Sequence, residues 1–157
     1  MRPAIWTLVL ALLSGLMAFD APHAGPKWME WNEAYTYAQK HKKIVLVDVY
    51  TDWCGWCKRM DADTYAEKDV IEAIRKDFVA VKFNPETAGK KYTMDGKEYE
   101  GRQFQYVLGG GQINGYPATV FLILTKDGPR SFVQPGYHKP ADFITLMKSV
   151  KDNAGKM

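Results

Sequence analysis

The chain predicts an α/β domain with a mixed central β-sheet flanked by helices. Three observations carry this expectation. A strand-like run, a helical stretch and a second strand-like run follow one another between Ile44 and Phe83, the order of a parallel pair joined by a right-handed crossover. Two later runs, Ala118–Leu124 and Ser131–Gln134, flank a turn at Lys126-Asp127-Gly128 and read as an antiparallel pair. Helical periodicity brackets this region on both sides. The composition, 46% hydrophobic and 25% charged over 157 residues, is that of one ordinary globular domain.

The N-terminus stands apart from the domain. Arg2 precedes Ile5–Phe19, fifteen residues without a charge, which is the h-region of a secretory signal and short of the ~20 residues of a membrane span. Residues 1–24 therefore read as a signal peptide cleaved after Ala24 or Ala21. Neither site has a small residue three positions before the cut, so an uncleaved anchor is the alternative. The domain then covers 25–157. The net charge of +3 comes with no dense Lys/Arg block, so nothing points to nucleic acid.

Within the domain, Trp31, Ala34, Tyr35 and Ala38 recur at helical spacing inside Trp28–Lys43, which ends in the basic turn Lys40, Lys42 and Lys43. Ile44–Tyr50 is β-branched and apolar on both faces, as a covered central strand requires. A helix is expected from Cys54 to about Lys68, then a second helical piece through Val70, Ile71 and Ile74. Phe78–Phe83 is the next strand. Asp95-Gly96 inside KKYTMDGKEYEG is a strong hairpin signal, Gly101–Leu108 a short helix, and Gly109–Gly111 a flexible joint. No phosphate-loop pattern accompanies those glycines. Pro140 opens a last helix with Phe143, Ile144, Met147 and Val150 on one face.

The chemistry concentrates at Cys54 and Cys57, the chain's two cysteines. A bridge across two intervening residues closes almost no loop, so stapling is a poor reason for the spacing. A structural zinc site wants four ligands, and His23, His41 and His138 have no ligand spacing to these thiols. No metal and no cofactor beyond a redox-active Cys54–Cys57 disulfide is expected. A strand-to-helix turn would place Cys54 at a helix N-terminus, where unpaired N–H groups and the helix dipole favour a thiolate. Cys54 is then the attacking residue, and Cys57, within the first turn and less exposed, the resolving one.

These residues resemble the thioredoxin family over roughly Trp28 to Val150. The matching pieces are Asp48 six residues before the first cysteine, Trp53-Cys54-Gly55-Trp56-Cys57-Lys58, Lys82 in the next strand, Gly115-Tyr116-Pro117-Ala118-Thr119, and Gly128 in the late turn. The resemblance implies a thioredoxin fold with the hairpin excursion inserted before the cis-proline strand. It also implies a cis Pro117 beside the disulfide, a buried Asp48 behind it, and a Tyr116 backbone that pairs with a substrate strand. Asp48 lies between Val47 and Val49 and is costly to bury without purpose; it is assigned proton transfer with Cys57, as against a purely structural acid. Lys82 is either its modulating partner or an edge charge reaching water. Pro117 could also be an ordinary strand-start proline. Trp53 and Gly55 belong to the modulating surroundings of the disulfide, and an exposed Trp56 would give substrates an apolar contact.

Two departures bear on function. Trp56 stands where the common motif has proline, and the intervening pair influences reduction potential. The KKYTMDGKEYEG excursion lengthens the stretch from Lys82 to Pro117; it either shapes partner choice or is a tolerated surface loop. The expected protein is an exported, periplasmic thiol:disulfide oxidoreductase that reduces protein disulfides, monomeric and supplied with electrons by a membrane thiol carrier. The rivals are an oxidant or isomerase of the same fold, and a peptide-binding or chaperone module with an inert disulfide.

Overall fold

The structure, a computed structural model, describes residues 25–156; the signal peptide expected at residues 1–24 lies outside the described residues. The order is β1 (Trp28–Met29), α1 (Trp31–His41), β2 (Ile44–Val49), α2 (Gly55–Asp63), α3 (Lys68–Asp77) and β3 (Phe78–Phe83). There follow β4 (Lys91–Met94), β5 (Lys97–Glu100), α4 (Gly101–Gly109), β6 (Ala118–Thr125), β7 (Gly128–Pro135) and α5 (Pro140–Ala154). The main sheet has the strand order β1-β3-β2-β6-β7, with β4 and β5 as a separate ribbon. Both β1 and β2 run parallel to β3, whereas β6 is antiparallel to β2 and β7 to β6. The mixed sheet and the parallel crossover expected from the sequence are both present.

Strand β2 is buried along its whole length, because helices cover both faces of the sheet. Val45, Val47 and Val49 face a core built with Trp31, Ala34 and Ala38 of α1 and Phe104 and Leu108 of α4. Ile44 and Leu46 face the other core, with Met60 of α2, Val70 and Ile74 of α3, and Phe143 and Met147 of α5. Side chains alternate along a strand, so Asp48 belongs to this second face. That face is the one α2 covers.

Three element boundaries differ from expectation, and the simplest is β7, which begins at Gly128 rather than Ser131. Trp28 does not open α1; it pairs with Ala80 in the two-residue strand β1, and the helix starts after an extended Glu30. The helix begun at the cysteines ends at Asp63 rather than near Lys68. Thr64 there donates its hydroxyl to the His138 carbonyl at 2.5 Å, and Tyr65 turns inward to 2% exposure.

The inserted hairpin is part of the core. Asp95 and Gly96 take positive φ values of 50° and 74°, as a two-residue primed turn demands. Trp31 Nε1 donates to the Thr93 carbonyl at 2.8 Å and the Tyr35 hydroxyl to Asp95 Oδ1 at 2.6 Å. Tyr92 stacks on Phe104 with centroids 4.9 Å apart and planes within 5°. Of the two sequence readings, a tolerated surface loop does not fit this packing. Helix α4 then starts with a capping box between Glu100 and Gln103. Gly101 is required there, since a Cβ would lie 2.1 Å from the Pro85 carbonyl oxygen.

Candidate active site

The end of β2 delivers the cysteines to the start of α2. Cys54 is the helix N-cap in extended conformation, and its Sγ accepts the Cys57 backbone N–H at 3.1 Å. The two sulfurs are bonded at 2.08 Å with Cα atoms 5.3 Å apart. The expectation that Cys57 is less exposed holds only narrowly, at 3% against 5% for Cys54. Position rather than burial distinguishes them. The donor aimed at Cys54 Sγ belongs to an N-terminal turn whose free N–H groups favour negative charge once the disulfide is reduced.

Behind the motif, Asp48 is 1% exposed. It sits opposite Lys82 on β3 and Thr119 on β6, so both neighbouring strands present a polar side chain to it. Lys82 Nζ lies 3.1 Å from Asp48 Oδ2 and also pairs with Asp61 of α2. Its ammonium approaches the rings of Tyr50, Trp28 and Tyr65 at 4.8, 5.2 and 5.9 Å. Lys82 is therefore the partner of Asp48 and not an edge charge reaching water. Burial pushes the Asp48 carboxyl up from 3.8 to about 6; Lys82 opposes the rise without cancelling it. Tyr65, wholly enclosed, is raised well above the ordinary 10 by burial and then by the Asp48 charge.

Pro117 is buried and joined to Tyr116 by a cis peptide bond. The Tyr116 hydroxyl donates to Gln105 Oε1 at 2.7 Å, and Tyr116 meets Trp53 edge to face at 5.8 Å. Trp53 Nε1 donates to Glu86 Oε2 at 3.0 Å, and Arg102 Nη2 to Glu86 Oε1 at 2.6 Å. Trp56 lies against Tyr137 at 5.6 Å, whose hydroxyl donates to Asp63 Oδ2 at 3.1 Å. Each tryptophan is thus braced by a tyrosine, yet both remain open to solvent, at 68% for Trp53 and 63% for Trp56. The pair forms an apolar rim on a buried disulfide. An added Cβ at Gly55, between them, would meet no atom within 4 Å, so this glycine answers to no packing need in the free molecule.

The structure brings together Cys54, Cys57, Trp53, Gly55 and Trp56 in one turn, Asp48 with Lys82 beneath the sheet, and Tyr116 with Pro117 beside Trp53. Sequence reasoning missed Asp61, Tyr65 and Thr119 around the buried acid, and Glu86, Arg102 and Tyr137 around the tryptophans. No spacing in the sequence points to these residues, because only the tertiary packing brings them to the acid and the tryptophans. Among the described residues there is no group of three or more His, Cys, Asp or Glu side chains that could hold a metal. No helix there is long and apolar enough to cross a membrane.

Residues 31–151 match the family model described as "Thioredoxin-like domain". Human (Homo sapiens) spermatogenesis-associated protein 20 is 27% identical over 119 residues, covering 75% of this chain and 14% of that protein. The chain thus spans 14% of the length of the curated relatives it matches. A thioredoxin from Thermus thermophilus superposes with a TM-score of 0.66 at 20% identity, over 84% of this chain and 92% of that one. The C-terminal domain of DsbD from Neisseria meningitidis, in its oxidised form, gives a TM-score of 0.51 at 25% identity, over 75% of this chain and 90% of that one.

Proposed function

Because the chain belongs to the thioredoxin-like domain family, we propose that it is a thiol:disulfide oxidoreductase that reduces protein disulfides through Cys54 and Cys57. The observation that carries the reading is the Cys57 N–H aimed at Cys54 Sγ at the N-cap of α2, with a buried carboxyl on the sheet face that α2 covers. In the reduced protein Cys54 is the thiolate. It attacks one sulfur of a substrate disulfide, breaking that bond and forming a mixed disulfide, and the departing substrate sulfur takes up a proton. Asp48 accepts the Cys57 proton. The Cys57 thiolate then attacks Cys54 Sγ, closing the Cys54–Cys57 bond and releasing the second substrate thiol. The substrate gains two electrons and two protons, and an external dithiol must restore them to the protein.

With Asp48 near about 6, its ionised form prevails at neutral pH and is ready to accept a proton. Lys82 holds Oδ2 in place, and the rim of Trp53 and Trp56 offers apolar contact to an extended substrate segment beside Tyr116 and Pro117. The export destination rests on the sequence of residues 1–24; a reductase working outside the cytoplasm needs a dithiol donor there, and a membrane thiol carrier is the partner proposed for that role. The test is insulin reduction with a thiol donor. Turnover is expected, and Cys54→Ser is expected to abolish it; equal turnover in that variant removes Cys54 as the nucleophile.

A further inference from the structure

Three buried polar atoms around Asp48 have no hydrogen-bond partner in the protein: Asp48 Oδ1 itself, the Tyr65 hydroxyl and the Thr119 hydroxyl. They come from three separate elements. Thr119 is the direct cross-strand neighbour of Asp48. Tyr65 follows α2 and packs its ring beside Lys82, and its hydroxyl lies near enough to the Asp48 carboxyl and the Thr119 hydroxyl for both to act on it. Leaving a carboxylate oxygen and two hydroxyls unpaired at this depth is costly, and buried polar atoms that lie together are ordinarily joined directly or through an internal water.

The two oxygens of Asp48 face different chemistry. Oδ2 meets the Lys82 ammonium, which only donates, so this oxygen can accept in either form of the acid but is no place for the acid's own proton. Oδ1 is left without a partner, and so are the neighbouring hydroxyls of Tyr65 and Thr119, groups that donate to a carboxylate and accept from a carboxylic acid. A group that must alternate between those forms needs one oxygen whose neighbours serve both.

We propose that Tyr65 and Thr119 are positioning residues for the proton carried by Asp48: their hydroxyls, directly or through one internal water, form the hydrogen-bonded cluster on Oδ1 where that proton is taken up and held. The inference rests on the proton-transfer role of Asp48 given above. The charged and titratable groups that act on the acid are Lys82 from β3, Asp61 from α2 and Tyr65 after it; from β6 the facing residue is the neutral Thr119. Lys82 favours the ionised acid and Asp61 opposes it. Tyr65 adds a donor to the ionised form, so removing its hydroxyl makes protonation easier.

The test follows the Asp48 carboxylic-acid band by infrared titration of the oxidised protein, in wild type, Tyr65→Phe, Thr119→Val and Thr119→Ser. Tyr65→Phe is expected to raise the proton affinity of Asp48 roughly tenfold, as for a lost hydrogen bond to a charged group. Thr119→Val should move it in the same direction by less, and Thr119→Ser, which keeps the hydroxyl, should restore the wild-type midpoint. Midpoints unchanged in both Tyr65→Phe and Thr119→Val overturn the proposal. Single-turnover release of substrate thiol is measured over the same pH range. A midpoint that moves while the rate profile stays fixed upholds the cluster and refutes proton transfer by Asp48.

Discussion

Replacing Asp48 with asparagine should stabilise the oxidised protein while slowing its chemistry, and the two effects should share one pH window. The carboxyl rises from 3.8 to about 6 on folding, so the folded chain holds this proton more tightly than the unfolded chain does. For an acid raised in this way, stability falls as pH increases through the window, because the buried group must ionise. At ~1.36 kcal/mol per tenfold change in proton affinity, the cost is about 3 kcal/mol once pH exceeds both values. Asp48→Asn removes that cost and leaves Lys82 paired with Asp61. Urea denaturation of both oxidised proteins at about pH 4 and about pH 8 would measure it. The variant's advantage should be larger at the higher pH by about 2 to 3 kcal/mol. In the reduced protein, resolution of a mixed disulfide near neutral pH should slow in the same variant. A stability difference that does not change between the two pH values would refute the reasoning, since it would mean Asp48 does not titrate within that window.

Two further substitutions probe the surroundings of the site. Gly101→Ala, whose Cβ would fall 2.1 Å from the Pro85 carbonyl oxygen, should cost about 1 to 3 kcal/mol as an overpacked contact; an unchanged denaturation midpoint would show that the start of α4 yields freely. Glu86→Gln weakens the carboxylate that accepts from both Trp53 and Arg102. Its effect on stability should stay below about 1 kcal/mol, as for an exposed ion pair, whereas KM for a protein substrate should rise several-fold and tryptophan emission should shift. An unchanged KM would mean that the orientation of Trp53 does not matter to substrate binding.

The disulfide motif and its strand were legible because they form one contiguous stretch, Ile44–Cys57, in which β-branched residues and the cysteine spacing speak directly. The hairpin was legible through Asp95-Gly96, whose backbone demands few other residues meet. What escaped was whatever only the tertiary structure brings together. Trp28 lies three residues before the first residue of α1 and leads into a helical-looking run, yet a two-residue parallel strand has no periodicity to announce it. Asp61, Tyr65 and Thr119 converge on the Asp48 carboxyl from α2, the turn after it and β6, and no sequence spacing encodes that meeting; Lys82 alone was named beside it, as one of two readings. The packing of the insert was hidden for the same reason, since the partners of Tyr92 and Thr93 are Phe104 and Trp31.

The same ion pair has a second consequence, for how the sheet assembles. A strand such as Ile44–Val49, apolar on both faces, has almost no alternation with which to specify its alignment, and sliding it by one residue along β3 would still present hydrophobic side chains to both cores. The exceptions are Asp48 and Lys82, matched residue to residue between the two strands. A one-residue slip would send the acid to the opposite face, among Trp31, Phe104 and the valines, and leave the lysine without its buried partner. An uncompensated charge at that depth costs several kcal/mol. The pair proposed to ready the site for proton transfer therefore also penalises misaligned pairings of the central strand.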